Sequence, residues 1–332
     1  MTVMTDAPAL PTPRGPLSAA VVDALGQPPP GPVLPLLQAR TAEPFGDDFA
    51  LALHTCYELH YRGFRDSSPE WEWEPGLLGF RRELERTFLD ALRAATGGSD
   101  DVSGVLDDLL VEPVPGNGVS HFLRDEGEWW QLCEYFAHRS IYHLKEADPH
   151  AWVIPRLQGR AKAALVAVEF DEFGGGHGER VHARLFADLL ADAGLNPGYL
   201  HYLDDVPAPQ IALVNLMSML GLHRGLRGAL VGHFSAAEIT TAPSAQRLAD
   251  ALRGHGAGRA SVHFFTEHVE ADAVHEQVMR RDVIGDLLDR EPGLAADVVF
   301  GIEATGVLEG RLAECLLGAW RRGESSLRHP LP

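Results

Sequence analysis

Residues 268–275 read His-Val-Glu-Ala-Asp-Ala-Val-His, and this stretch organises our interpretation of the whole chain. At about 100° per residue, His268, Asp272 and His275 occupy positions i, i+4 and i+7 of a helix and project within roughly 60° of one another. Apolar residues recur around this polar stripe, and neither Pro nor Gly interrupts residues 260–284. The pattern therefore predicts a helix that presents two imidazoles and one carboxylate on a single face.

Two explanations of this polar face are open. Imidazole nitrogens together with a carboxylate suit a first-row transition metal. A single helix cannot fill a coordination sphere, so a metal site would need carboxylates and a histidine from other helices. The alternative is a solvated face, because acidic helices that carry histidines are common. This segment alone does not decide between them.

The composition excludes several classes of protein. The chain has 332 residues, of which 45% are hydrophobic, so it can bury a large core. Its net charge of −19 disfavours nucleic acid and anionic membranes as partners. No apolar run approaches the roughly 18 residues of a membrane span. Three cysteines without a CxxC motif argue against a disulfide scaffold, so we expect a soluble protein of the reducing cytoplasm.

The sequence predicts three parts. Residues 1–40 are rich in Pro and Ala and lack the pattern of a signal peptide, so we expect a flexible arm. Residues 41–125 carry apolar residues at helical spacing and predict a helical extension. Residues 126–325 contain most of the candidate ligands. Because few segments alternate as strands do and no repeat is found, the fold class predicted is an all-α bundle.

Further predicted helices supply acids and a histidine. Glu146 and Glu172 each fall near the end of such a helix. Glu179 and His182 are spaced Glu-x2-His, which places both side chains on one helix face, as in helical di-iron carboxylate proteins. Each of these signals is weak alone, because a surface Glu at a helix end and a chance Glu-x2-His pair are both common.

Glu238 is the only acid in residues 210–241, an apolar stretch that predicts one kinked helix or two. A buried carboxylate without a partner is unfavourable, so Glu238 should meet a metal, a cation or a proton. Arg224 and Arg227 are the alternative partners within the same stretch. The sequence leaves this choice open.

The order of these candidate ligands resembles that of the haem-oxygenase-like di-iron oxidases, also described as iron-containing redox enzymes. The resemblance rests on Glu146, on Glu172 followed ten residues later by His182, on Glu238, and on the 268–275 motif. The resemblance covers roughly residues 128–320. It implies a helical bundle like that of haem oxygenase, which binds two Fe(II) ions per chain in place of haem and takes O2 as co-substrate. Small amines, guanidines, amino acids or fatty acids are then the implied substrates.

The resemblance also assigns roles. One iron is then held by Glu146, His182 and His275. The other is held by His268 and Asp272, and Glu238 completes the set of ligands. Whether Glu172 or Glu179 bridges the irons stays open, with Glu172 favoured. An extra carboxylate at Glu146 is similar to the N-oxygenating members. N-oxygenation is therefore favoured over desaturation, carbon–carbon cleavage or oxidative cyclisation.

Other groups complete the predicted site. Guanidinium forks match a substrate carboxylate, so Arg139, Arg224 and Arg227 are candidate clamps. Tyr142 or Asp171 can hold the ligand imidazoles through their second ring nitrogen. The expected partners are a small-molecule substrate and, as in other proteins of this fold, a possible homodimer.

Two other functions are kept as alternatives. A haem-dependent oxygenase of the same fold needs a proximal histidine on an early helix, for which His54 or His60 is available. That function leaves the 268–275 motif without a role. The second alternative is a helical protein that binds iron for storage or regulation without catalysis.

Overall fold

The computed structural model describes residues 7–112 and 114–332, with the side chains of residues 270–273 outside the description. Helices are the regular elements of the described residues, and none of these residues lies in a β-strand. The predicted all-α class is confirmed. A continuous cluster of buried apolar side chains runs from the N-terminal helices to the last one, so the extension and the bundle share a core.

The α-helices are numbered in chain order. Six precede the bundle: α1 (Pro16–Leu25), α2 (Leu36–Thr41), α3 (Asp47–Glu58), α4 (Pro75–Ala95), α5 (Val102–Leu109) and α6 (Val119–Asp125). The remainder carry the candidate site: α7 (Trp129–His143), α8 (Asp148–Ala151), α9 (Gly159–Glu172), α10 (His182–Asp192), α11 (Ala208–Leu222), α12 (Arg227–Gly254), α13 (Arg259–Gln277), α14 (Gly285–Arg290) and α15 (Ala295–Trp320). A π-helical segment, Val278–Ile284, joins α13 to α14.

The arm predicted to be flexible over residues 1–40 contains α1, which packs against the body of the protein. Helix α1 contacts α3 and buries Leu17, Val21 and Leu25. Asp48 of α3 caps α1, because its carboxylate accepts hydrogen bonds from the backbone N–H groups of Leu17 and Ser18 at 2.9 and 2.7 Å. The apolar residues of α1 recur at helical spacing over only ten residues, and the Pro- and Ala-rich composition around them made this helix hard to predict.

Two prolines have opposite effects on the helices. Pro155 belongs to a 3-10 turn, and α9 begins only at Gly159, which has a φ of +57°. Helix α12 passes through Pro243 without ending and continues to Gly254. Residues 210–241 do divide into two helices, α11 and α12.

The turn after α7 carries Glu146 and is fixed from the N-terminal extension. Nζ of the buried Lys145 lies 2.8 Å from Oε2 of Glu58 on α3, which is also buried. The Tyr199 hydroxyl donates to Oε1 of the same carboxylate at 2.7 Å. Ala147 has a φ of +71°, a conformation that surrounding contacts must stabilise in a residue with a side chain. The position of Glu146 therefore depends on helix α3.

Candidate metal centre

Four buried side chains of the metal-binding type meet inside the bundle. They are Glu146 in the turn after α7, Glu172 at the end of α9, His182 at the start of α10 and His268 on α13. One ligand atom from each lies within 4.8 Å of the others. Helix α13 packs against α10, and α10 contacts α7, so four separate parts of the chain converge here.

Glu172 belongs to a second group as well. There it meets Glu238 of α12 and His275 of α13, again with ligand atoms within 4.8 Å of one another. Oε1 of Glu172 lies 3.9 Å from Nδ1 of His275, whereas its Oε2 lies 2.8 Å from Nδ1 of His182. Nδ1 of His275 also lies 3.0 Å from Oε2 of Glu238. One carboxylate therefore faces both groups, which is the geometry of a bridging ligand.

A glycine turn brings Glu172 and His182 together. Gly174, Gly175 and Gly176 all have positive φ, at 79°, 62° and 86°, which glycine adopts without the steric cost of a side chain. A Cβ on Gly174 would overlap the backbone at Val181, where the chain turns back towards the site. The turn lets the chain leave α9 and re-enter the site within ten residues.

The same turn directs Glu179 away from the centre. Its side chain is 78% exposed and lies 3.7 Å from Nδ1 of His177. Glu179 sits in a 3-10 turn, Gly178–Arg180, and α10 begins only at His182. The expectation that Glu179 and His182 share a helix face is therefore wrong. Of the two bridging candidates, Glu172 alone lies with the other ligand-type residues.

The grouping of the histidines differs from the expected one. His268 lies with Glu146 and His182, and His275 lies with Glu238, whereas the resemblance implied the reverse placement of the two α13 histidines. Seven residues of helix separate His268 from His275, a rise of about 10 Å, so the two rings reach different ends of the site. The side chain of Asp272, the third residue of the motif, lies outside the described residues.

The donor set suits two cations. Oε2 of Glu146 is buried and accepts no hydrogen bond from any described residue. Burial opposes ionisation of this carboxyl, but the imidazoles of His143 and His268 outweigh burial and hold the pKa of Glu146 below its usual range. Buried carboxylates that face imidazoles are stabilised by bound metal, and mixed oxygen and nitrogen ligands suit iron.

The ligand imidazoles have neighbours that orient them. Nε2 of His275 lies 3.2 Å from Oδ2 of Asp171, so this acid can fix the ring through the nitrogen opposite the cluster. The Tyr142 hydroxyl instead lies 3.4 Å from Nδ1 of His150. Of the two residues predicted to hold ligand imidazoles, Asp171 contacts one.

Glu169 is a buried acid that the sequence analysis did not select. It lies one turn before Glu172 on α9, it is 2% exposed, and neither of its oxygens accepts a hydrogen bond from a described residue. Burial, followed by the charges of Glu172, Glu238 and Asp148, raises the pKa of Glu169 to about 9. The Glu-x2-Glu spacing of 169 and 172 was the signal available in the sequence.

A cleft of about 360 Å³ opens onto the centre. Its walls include the ligand-type residues His182 and His275 together with Asp171, Arg180 and Glu267. A guanidinium nitrogen of Arg180 lies 3.1 Å from Oε1 of Glu267. Arg180 was not predicted from the sequence as a site residue, although it stands only two residues before His182.

The three arginines predicted as substrate clamps lie elsewhere. Arg139 forms a two-pronged ion pair with Glu309, both contacts at 2.8 Å. Arg224 and Arg227 line a different pocket, and Arg227 pairs with Glu291. None of the three is among the residues that line the cleft at the metal centre.

The histidines offered for haem have other surroundings. Nδ1 of His60 lies 3.2 Å from Oε1 of Glu72, and its Nε2 contacts Arg81. His54 is fully buried within α3, and burial lowers its pKa well below the usual value. Neither residue lines the cleft.

Among the described residues, no helix combines the length and apolarity required to cross a bilayer.

Comparison with known proteins finds one family and one curated relative. Residues 133–309, just over half of the chain, match a family model described as iron-containing redox enzyme. Nitrosourea synthase from Streptomyces achromogenes subsp. streptozoticus is 27% identical over 166 residues. That similarity covers 50% of this chain and 35% of the relative, so the chain spans about a third of the length of that protein.

Proposed function

The chain belongs to the iron-containing redox enzyme family, and on this premise we propose that it is a di-iron oxidase. It binds two Fe(II) ions and uses O2 to oxidise a small amine, guanidine or amino-acid-like substrate. The observation that carries the proposal is Glu172, whose two oxygens face two groups of buried ligands. A single-ion site has no need of a second group around the same carboxylate.

The ligands divide between the ions by position. Glu146, His182 and His268 would hold one ion, Glu238 and His275 would hold the other, and Glu172 belongs to both groups of residues. Asp272 stays a predicted ligand on the strength of the sequence motif. The three glutamates offset three of the four positive charges of two Fe(II) ions, which leaves the centre close to neutral in its buried surroundings. When bound, the irons supply the electrons that reduce O2.

Aromatic side chains line one side of the centre. The ring of Phe264 lies 4.5 Å from that of His268, and Phe186 packs 5.0 Å from Phe264. Phe186 also lies 4.8 Å from the ring of His143. These aromatic side chains exclude water from the Glu146 end, so the open approach is the cleft beside His182 and His275.

Charged groups at the cleft match a polar substrate. The Arg180 guanidinium fits a substrate carboxylate, and Glu267 and Asp171 fit a cationic nitrogen. Asp171 also contacts His275, so a substrate nitrogen drawn to it lies next to the metal-binding residues. N-oxygenation is the favoured outcome, since the relative's name denotes a nitrosourea, a product with an oxidised nitrogen.

Oxygen-free loading with Fe(II), followed by exposure to O2, tests the function. We expect a transient visible absorbance and oxidation of an added amine or guanidine when a reductant is present. His182→Ala should abolish both signals, while His177→Ala, an exposed histidine in the preceding turn, should retain them. A stable ferric mineral would favour iron storage, and an intense band at the blue end of the visible spectrum would establish haem.

A further inference from the structure

Four arginines surround a pocket that the proposed oxidase activity does not use. Arg156, Arg224, Arg227 and Arg290 line this cavity of about 520 Å³. It lies at the start of α9 and α12, beside α14. Glu172 is at the opposite end of α9, about 20 Å away by helical rise. The pocket is therefore distinct from the cleft at the metal centre.

Two of the four guanidinium groups have no acidic partner among the described residues. Arg227 pairs with Glu291, and Nε of Arg290 lies 3.0 Å from Asp286. Arg156 and Arg224 form no ion pair within the part of the chain that the structure describes. Adjacent, uncompensated cations are unexpected in a chain with a net charge of −19.

Arg156 is held in place by the backbone, which makes its charge a fixed feature of the pocket. It donates to the carbonyl oxygens of Gly221 and Leu222 at the end of α11, the latter at 2.9 Å. Partial burial and then the charge of Arg224 lower the pKa of Arg156. The protein thus keeps two like charges close together, an arrangement that an anion between them would relieve.

The backbone adds to the positive potential. Helices α9 and α12 begin at the pocket. The first turn of α9 is capped by Asp286, whose Oδ2 accepts a hydrogen bond from the Ala161 N–H at 3.0 Å, whereas α12 has no capping hydrogen bond from the side chain of its N-cap residue, Leu226. The amino end of a helix carries a partial positive charge of roughly half a unit. Gly159 also leaves room that a Cβ would fill against the guanidinium of Arg290. Helix ends and arginine forks together form a common type of anion site.

We propose that this pocket binds a small polyanion through its phosphate or carboxylate groups. The pocket has a volume of about 520 Å³ and is lined by arginines from three separate parts of the chain, so it has room for a small molecule that carries two anionic groups. Arg224 and Arg156 contact one group, and Arg290 with the start of α12 contacts another. The site is independent of the metal centre and of the reaction proposed there.

Calorimetric titration of the iron-loaded chain at low salt tests this site. The probes are fructose 1,6-bisphosphate for phosphate groups and tricarballylate for carboxylates. We expect saturable binding of at least one probe, and the one that binds identifies the ligand chemistry. Arg224→Gln should weaken it about 10- to 100-fold, because a charge-assisted hydrogen bond is lost. The side chain of Arg224 forms no hydrogen bond or ion pair with the described residues, so this variant should fold.

The control is Arg321→Gln, which removes the same charge from the exposed end of α15 and should change the affinity less than about twofold. His182→Ala should bind the probe as the unmodified chain does. Absence of saturable binding to either probe would overturn the proposal. Equal weakening by Arg321→Gln would show nonspecific attraction, and loss of binding in His182→Ala would place the probe at the metal centre; either result also overturns it.

Discussion

At the scale of the residue, the centre depends on which side chains reach the same point. Glu146, Glu172, His182, Glu238, His268 and His275 were all candidates from the sequence, and the structure brings these six together. Their division between two groups could not be predicted, because it depends on how far each helix end projects into the bundle. The position of Glu179 was predicted wrongly for a related reason: residues 173–181, which include three consecutive glycines with positive φ, connect α9 to α10 in place of a helix.

Removing one imidazole should separate metal binding from folding. His268→Ala removes one of the two imidazoles from its group of four, and we expect iron content after anaerobic loading to fall by at least half. His263→Ala is the matched control, since His263 is exposed on the same helix. Iron analysis of both purified variants gives the answer. Equal iron in His268→Ala and in the unmodified chain would remove His268 from the centre.

Glu169 makes the stability of the metal-free protein depend on pH. Its folded pKa of about 9 is above the unfolded value of about 4.3, so the stabilising effect of the neutral acid is complete below about pH 4 and is lost as pH rises to about 9. Glu169→Gln imitates the neutral acid permanently. Chelator-treated Glu169→Gln should lose less stability between pH 6 and 9 than the unmodified chain, as judged by urea midpoints.

The control is Glu179→Gln, the same change at an exposed acid. In this variant the stability should depend on pH as it does in the unmodified chain. If the urea midpoints of all three proteins fell in parallel between pH 6 and 9, Glu169 would not be the responsible group.

At the scale of the element, apolar periodicity predicted the main helices. The positions of Pro and Gly predicted the ends of these helices less accurately. Proline usually ends or kinks a helix, yet α12 continues through Pro243. Propensity is a weak signal when tertiary packing acts on the same segment, and α12 is held by both α13 and α15. Conversely, the positive φ at Gly159, where α9 begins, cannot be inferred from composition.

Gly301 allows the backbones of α12 and α15 to approach closely. A Cβ on Gly301 would overlap the carbonyl oxygen of Ala229, so Gly301→Ala should lower the free energy of unfolding by about 1–3 kcal/mol or more. Gly306→Ala on the same helix meets no atom within 4 Å and should raise it by roughly 0.5–1 kcal/mol, through a better helix former. Urea denaturation of the two variants measures both. Stabilisation by Gly301→Ala would show that the helices are not in backbone contact.

At the scale of the whole molecule, the N-terminal extension is part of the support of the metal centre. The buried pair of Lys145 and Glu58 joins α3 to the turn that carries Glu146. No local pattern could have paired these residues in advance, because 87 positions separate them. The predicted division at residues 40 and 125 stays a prediction, but buried contacts cross the second of these boundaries.

Breaking this pair should reduce stability and iron binding together. Lys145→Met leaves a buried carboxylate without its cation, which typically costs about 3–5 kcal/mol. The double variant Lys145→Met with Glu58→Gln removes both charges and should recover part of that loss. Thermal unfolding and iron content are the two measurements. A single variant as stable as the unmodified chain would mean that the extension does not hold the turn.

Mössbauer spectroscopy of protein reconstituted with iron in the absence of oxygen and then oxidised tests the central claim most directly. The account predicts two irons per chain with the spectrum of a magnetically coupled pair. Glu172→Gln should lose the coupling or one iron, and Glu179→Gln should lose neither. One isolated iron in the unmodified chain, or equal loss in both variants, would contradict a pair of irons joined through Glu172.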